Sequence, residues 1–173
     1  MNYAEIKYCD IANGVGVRTS LFVSGCTHRC KGCFNEVAWD FGYGREFDEK
    51  IQEQIMQSLK PSYIEGLTLL GGEPFEPSNQ RGLLEFLKEV KKVYPNKTIW
   101  CYTGYTLEKD LLNEAKARCE VTDEMLGLID VLVDGEFVED LYDISLRFRG
   151  SSNQRIIDLK TTLKDGKVVL WTE

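Results

Sequence analysis

Leu21-Phe22-Val23-Ser24-Gly25-Cys26-Thr27-His28-Arg29-Cys30-Lys31-Gly32-Cys33 runs an apolar strand directly into a loop that holds three cysteines. Three residues separate the first two thiols and two separate the second pair, with no fourth cysteine nearby. Structural zinc wants four closed ligands, commonly two cysteine pairs or a pair with histidines, and ordinary ferredoxin clusters also take four cysteines. Three closely spaced cysteines therefore suggest a cubane cluster with one iron left for something other than protein. An open iron suits chemistry as well as electron storage.

Outward from this loop the chain alternates short apolar runs with amphipathic segments. Asp48 can cap a helix in which Ile51, Ile55 and Leu59 share a face with Met56 beside them, and Pro61 stops it. Leu67 to Leu70 reads as a buried strand ending at Gly71-Gly72-Glu73-Pro74. Ser78 is a candidate cap for the next helix, whose apolar face holds Leu83, Leu84, Leu87 and Val90. Thr98 to Tyr102 is the next strand, Leu107 to Ala117 the next helix, and Ile129 to Val133 a strand ending in Asp134-Gly135. Arg155 to Leu159 and Lys167 to Trp171 flank Lys164-Asp165-Gly166 and read as a terminal β-hairpin. This alternation predicts an α/β fold with a mainly parallel sheet. Cys26 to Cys33, Gly71 to Pro74, Thr103-Gly104 and Asp134-Gly135 all follow strands, and ligands of parallel sheets sit at the carboxyl ends of strands. Four chemistry-bearing segments are thus expected on one rim.

The 173 residues are read as a single domain, 1–173, long enough to bury a real core. Hydrophobic residues at 43% and charged residues at 28% are ordinary for a soluble protein. A formal charge of −7 argues against a nucleic-acid surface. No apolar run reaches membrane-span length, and Met1 to Lys7 lacks the basic start and apolar core of a signal peptide, so a cytoplasmic protein is expected. In that setting six cysteines do not read as a disulfide framework. Cys9, Cys101 and Cys119 lie far apart and read as buried or incidental thiols. His28, the one histidine, reads as an exposed loop residue, and Trp39, Phe41 and Tyr43 as packing under the loop.

A series of motifs then carries a resemblance: Asn13 to Thr19, Phe22 to Asn35, Gly71 to Pro74, Trp100 to Tyr105, Val131 to Gly135 and Arg149 to Gln154. In this order they span nearly the whole chain. The chain resembles radical S-adenosylmethionine (SAM) enzymes and, within them, the activating proteins of anaerobic, glycyl-radical ribonucleoside-triphosphate reductases. The resemblance implies a partial, open (β/α) barrel of the radical SAM type. About five strand–helix units cannot close an eight-stranded barrel, so one flank should admit a protein loop. It also implies that Cys26, Cys30 and Cys33 bind three irons of a 4Fe-4S cluster, with SAM chelating the fourth.

Gly71-Gly72-Glu73-Pro74 resembles the glycine-rich SAM contact, since glycines let backbone approach a ligand closely. The resemblance places Gly32, Cys33 and Phe34 beside the adenine. Gly32 stands where many radical SAM enzymes carry an aromatic residue. Thr103 and Asp134 are expected polar contacts to SAM, with Asn153 and Arg155 facing SAM or a partner. The implied activity is reductive cleavage of SAM to a 5′-deoxyadenosyl radical, which generates a glycyl radical on the large subunit of the reductase. Reductive cleavage calls for the low end of the range of about −700 to +450 mV open to protein clusters, hence a flavodoxin-like donor. Two other readings are a different radical SAM enzyme, either an activase of another glycyl-radical enzyme or a small-molecule enzyme of deazapurine-synthase type, and a non-enzymatic metal module using Cys9, Cys101 or Cys119 as fourth ligand.

Overall fold

The structure of the protein, a computed structural model, describes residues 1–173. Its strands are β1 (Asn2–Asp10), β2 (Val17–Val23), β3 (Arg45–Glu46), β4 (Ile64–Gly71), β5 (Thr98–Tyr102), β6 (Val131–Asp134) and β7 (Arg155–Asp158). They form one open sheet in the order β3-β1-β2-β4-β5-β6-β7. β2, β4, β5 and β6 run parallel, while β1, β3 and β7 join by antiparallel pairing, with β3 and β7 at the edges. Helices α1 (Glu49–Ser58), α2 (Pro77–Val93), α3 (Thr122–Leu126) and α4 (Leu159–Asp165) complete the elements, and no helix is long and apolar enough to cross a membrane.

The parallel strands each carry a short apolar run, such as Leu21 to Val23 and Leu69-Leu70, because both their faces are covered. Alternate residues divide between the two faces. Leu21, Val23, Leu67, Leu69, Ile99, Cys101 and Leu132 join the main core, with Ile55 and Met56 of α1 and Leu83, Phe86, Leu87 and Val90 of α2. Each such fully buried aliphatic or aromatic side chain contributes about 1.5–3 kcal/mol of transfer free energy. The opposite, inner face carries Trp100, Val131 and Val133, packed by Tyr102, Phe148, Ile156 and Trp171. Phe148 and Trp171 meet Trp100 edge-on at 5.4 and 5.3 Å, so loop and carboxyl-terminal segments cover this face.

Arg18, at the start of β2, closes the floor of the inner face with 1% of its surface exposed. Its guanidinium donates to Thr68 Oγ1, Thr98 Oγ1 and the carbonyls of Val15, Leu67 and Thr98. Burial lowers its pKa to about 10, and it remains a cation at neutral pH. A buried charge is tolerable only when its donors are met, and here the strands meet them.

Three expected elements differ. The terminal β-hairpin is a strand, a helix and a return. Asp158 caps α4 by accepting from Thr161 N–H (3.0 Å), and Gly166, at φ 74°, ends it in the left-handed conformation. Lys164-Asp165-Gly166 is therefore a helix C-cap. The returning chain still pairs antiparallel with β7 through Ile157 and Leu170. The helix expected over Leu107–Ala117 shrinks to one π turn, Leu107–Leu111. Side chains compete for its backbone there: Asp134 takes Leu107 N–H, Asp110 takes Thr106 N–H, and the Asn113 amide takes Glu108 O. Ser78 is exposed and does not cap α2, because Glu76 holds the cap position and Pro77 the first turn.

Asp130 ties α2, β5 and α4 together. It accepts from Lys91 Nζ, Ile99 N–H (2.7 Å) and Lys160 Nζ (2.9 Å). Burial alone would raise its pKa, but hydrogen bonds from Lys91, Ile99 and Lys160 more than reverse that and hold it below the usual carboxylate range. Its folded pKa lies below the unfolded one. The stabilisation is therefore present above about pH 4 and is lost as pH falls through the folded value. Asp130→Asn is expected to cost about 2 kcal/mol at pH 7, a difference that shrinks in acid. Equal denaturant midpoints for parent and variant at pH 7 would contradict this.

Candidate functional site

The carboxyl ends of the four parallel strands surround a cavity of about 410 Å³. β2 continues into the cysteine loop, which supplies Cys26, Cys30, Gly32, Cys33 and Phe34 to the lining. β4 supplies Gly71, Gly72 and Glu73; β5 supplies Tyr102, Thr103 and Gly104; β6 supplies Gly135. The expected rim is assembled.

Glycine is required where β4 meets the root of the cysteine loop. Gly71 has φ 121°, and a Cβ there would stand 2.5 Å from Val23 N. A Cβ on Gly72 would stand 2.6 Å from Gly25 O. Backbone bonds close the seam: Gly72 N–H donates to Val23 O (2.9 Å) and Glu73 N–H to Gly25 O (2.8 Å).

Glu73 is the hub of the rim, with 1% of its surface exposed. One carboxylate oxygen accepts from His28 Nε2 (2.8 Å) and Gly104 N–H (2.7 Å). The other accepts from Phe75 N–H (2.8 Å) and the Thr103 hydroxyl (2.7 Å). His28, expected to be an exposed loop residue, has a side chain only 6% exposed, its second nitrogen 3.0 Å from Glu136 Oε1. Burial alone would lower the imidazole pKa, but Glu73 and then Glu136 override it and push it up to about 9. Both ring nitrogens of the resulting imidazolium donate. The loop's charge partner was hidden because the carboxylate lies 45 positions away in sequence.

Glu76 and Asn79, at the start of α2, were not expected in the site. Glu76 Oε1 accepts from Thr27 N–H (2.9 Å) and the Thr27 hydroxyl (2.7 Å). The Asn79 amide donates to Ser24 O (3.0 Å) and Glu73 O (2.9 Å). Buried polar residues beside Pro77, on a helix that otherwise shows an apolar face, were the available signal.

Over residues 12–157 the chain matches the family model described as a 4Fe-4S single cluster domain. It is 49% identical over 158 residues to the anaerobic ribonucleoside-triphosphate reductase-activating protein of Pasteurella multocida (strain Pm70), covering 90% of this chain and 96% of that one. The protein of the same name from Escherichia coli (strain K12) is 41% identical over 162 residues, covering 92% and 100%. That of Enterobacteria phage T4 is 40% identical over 158 residues, covering 90% and 93%. The chain belongs to the family of anaerobic ribonucleoside-triphosphate reductase-activating proteins.

The donor set of this reductase-activating family member fits an iron–sulfur cluster. Its three loop cysteines line the cavity together, and a set of thiolates is the donor type that iron–sulfur centres take. Burial pushes the Cys26 thiol up to about 12, with Glu73 and Glu76 adding to the rise, and burial followed by Glu136 raises Cys30. Such thiols become thiolates through the positive charge of bound iron.

Two expected SAM contacts are placed differently. Asp134 is 1% exposed and absent from the lining; Arg155 donates to both its oxygens (3.0 and 2.6 Å) and Leu107 N–H to one (2.9 Å). Its carboxylate joins β6 to β7. Pro74 is buried beside the cavity without lining it. Asn153 binds Glu136 O (2.8 Å) and so faces the loop after β6. Trp39 lines the cavity, while Phe41 and Tyr43 are 42% and 41% exposed rather than packed away. Of the other thiols, Cys9 is exposed on β1, Cys101 lies in the helix-side core and Cys119 sits 3.4 Å from Gln80 Oε1. None lines the cavity, so a centre with one of them as fourth ligand lacks that ligand.

Proposed function

We propose that this chain is an iron–sulfur, SAM-dependent activase that generates a glycyl radical on anaerobic ribonucleoside-triphosphate reductase. The observation that carries the reading is the sharing of one cavity by Cys26, Cys30 and Cys33 and by the glycine-rich end of β4. Cys26, Cys30 and Cys33 would hold a 4Fe-4S cluster. The backbone of Gly71 and Gly72, the hydroxyl end of Thr103 and the charge of Glu73 would face the cationic amino group of SAM. Backbone from Gly32 to Phe34 would border the adenine. Held by Cys26, Cys30 and Cys33, a reduced cluster would supply one electron for cleavage of the C5′–S bond of SAM to methionine and a 5′-deoxyadenosyl radical, the chemistry that would remove a hydrogen atom from a glycine Cα of the reductase.

The chain's own part is orientation and exclusion of water. Glu73, His28 and Glu76 fix the loop, and Phe148 and Trp171 pack on Trp100 below it. On this reading the open sheet is a partial barrel of the radical SAM type in a single domain, whose open flank admits the reductase's glycine loop. A flavodoxin-like protein would donate the electron, in the cytoplasm. The test mixes reduced, cluster-loaded protein with SAM and the anaerobic reductase. Electron paramagnetic resonance should show a glycyl radical on the reductase. Cleavage of SAM without that radical would leave a radical SAM enzyme with another substrate, and colourless protein with stoichiometric zinc would defeat the enzymatic reading.

A further inference from the structure

Two polar groups buried against the cavity have no partner in the protein. The Tyr102 hydroxyl and Arg149 Nε are shielded from solvent and make no hydrogen bond, whereas every other buried side-chain nitrogen and oxygen is paired. Both residues line the same cavity as the cysteine loop. Arg155, six positions after Arg149, is held by Asp134 and Glu108, but no carboxylate pairs with Arg149. A buried donor left unmet costs about 1–3 kcal/mol, and such orphans in a native fold call for a ligand that meets them.

Their position narrows what that ligand is. Tyr102 is the last residue of β5 and points to the inner face, below the rim residues Thr103 and Gly104. Arg149 follows Phe148, whose ring packs on Trp100, two residues deeper along the same strand. The pair therefore belongs to the part of the cavity beneath the cysteines. A guanidinium offers only donors and a fixed positive charge, so it repels the sulfonium and amino group of SAM; the SAM carboxylate, which it would attract, would be taken by the open iron at the rim in the function proposed above. It attracts acceptor oxygens.

A loop presented for attack at a glycine has no side chain at its centre to be gripped. Main-chain carbonyls are what it offers, and main-chain recognition needs fixed donors in the receiving protein. We infer that Tyr102 and Arg149 hold backbone carbonyl oxygens flanking the target glycine, placing its Cα in the cavity. They act as positioning residues for the protein substrate and take no part in electron or hydrogen transfer. The inference rests on the function proposed above.

The test uses cluster-loaded protein with SAM and a synthetic peptide carrying the reductase's glycine loop. Affinities for peptide and for SAM are measured separately in the parent, Arg149→Gln and Tyr102→Phe. Losing a charge-assisted hydrogen bond is expected to weaken peptide binding about tenfold or more in Arg149→Gln, and a neutral one about three- to fivefold in Tyr102→Phe. In each variant the loss for the peptide should exceed the loss for SAM. Tyr102→Phe removes a single oxygen and keeps the packing, so a folding defect will not hide the result. Parent-like peptide affinity in both variants, or a larger loss for SAM than for peptide, would overturn the inference while the proposed function stands. A parent protein that cleaves no SAM would instead remove the function and the inference together.

Discussion

Cys30→Ala is expected to abolish the iron–sulfur cluster and, with it, reductive cleavage of SAM. Cys26, Cys30 and Cys33 are the only cysteines on the cavity wall, so no thiol elsewhere can replace the missing ligand. Cys101 is fully buried on the other side of the sheet, and Cys9 is exposed on β1. Loss of an outer partner of a metal ligand commonly costs about 10–100-fold in affinity or activity, and loss of the ligand itself should exceed that. The measurements are iron and acid-labile sulfide per chain in anaerobic protein, and 5′-deoxyadenosine released from SAM under reduction. Cys9→Ala is the control and should keep the parent's iron content. A Cys30→Ala protein with full iron and full SAM cleavage would show that the ligand assignment is wrong.

That experiment addresses the part of the site that was most legible in the sequence, and the reason is physical. Cys26, Cys30 and Cys33 are close in sequence because one loop carries all three to the same cavity. The strands leading to the rim were equally legible, since β2, β4, β5 and β6 are buried on both faces and so stand out as apolar runs. β1 was not anticipated. It lies between β2 and the two-residue edge strand β3, its residues are mostly half-exposed or exposed, and Tyr3-Ala4-Glu5-Ile6-Lys7-Tyr8 shows no apolar run to mark it. Lys164-Asp165-Gly166 was misread for a different reason: the same three residues suit a hairpin turn and a helix C-cap. Burial of Leu159 and Thr162 against the sheet decides for the cap.

The long-range hydrogen bonds were beyond sequence reading altogether. Asp134 looked free because Arg155 lies 21 positions later, and Thr27 looked like an ordinary loop residue because Glu76 lies 49 positions away. A carboxylate at a strand end carries no mark in sequence of whether it faces a ligand or an arginine. For Glu73 and Asp134 the two outcomes differ. Glu73 is bound by four donors yet still lines the cavity, whereas Asp134 is bound and lies outside it. Both are therefore structural carboxylates, but only Glu73 places its charge at the site.

Glu73→Ala is accordingly expected to be the most destabilising single change on the rim. It strips acceptors from His28 Nε2, Gly104 N–H, Phe75 N–H and the Thr103 hydroxyl at once. Removing one member of a buried charged pair costs about 3–5 kcal/mol, because the remaining groups lose water and partner alike. In a chain of this size that corresponds to a fall in Tm of roughly 6–20 °C. Glu73→Gln should fall between parent and alanine variant, since its single carbonyl oxygen meets some donors while its amide nitrogen opposes the others. Glu136→Gln is the comparison that separates the hub from charge alone. Glu136 also binds His28, but its side chain is 55% exposed, so its loss should cost no more than about 1 kcal/mol. Thermal unfolding of the four proteins orders them as parent, Glu136→Gln, Glu73→Gln, Glu73→Ala. If Glu73→Ala unfolded with the parent, the cysteine loop would have to be held by Glu76, Asn79 and the backbone seam at Gly72 alone. The four bonds to Glu73 would then be a consequence of the rim's shape and not its support.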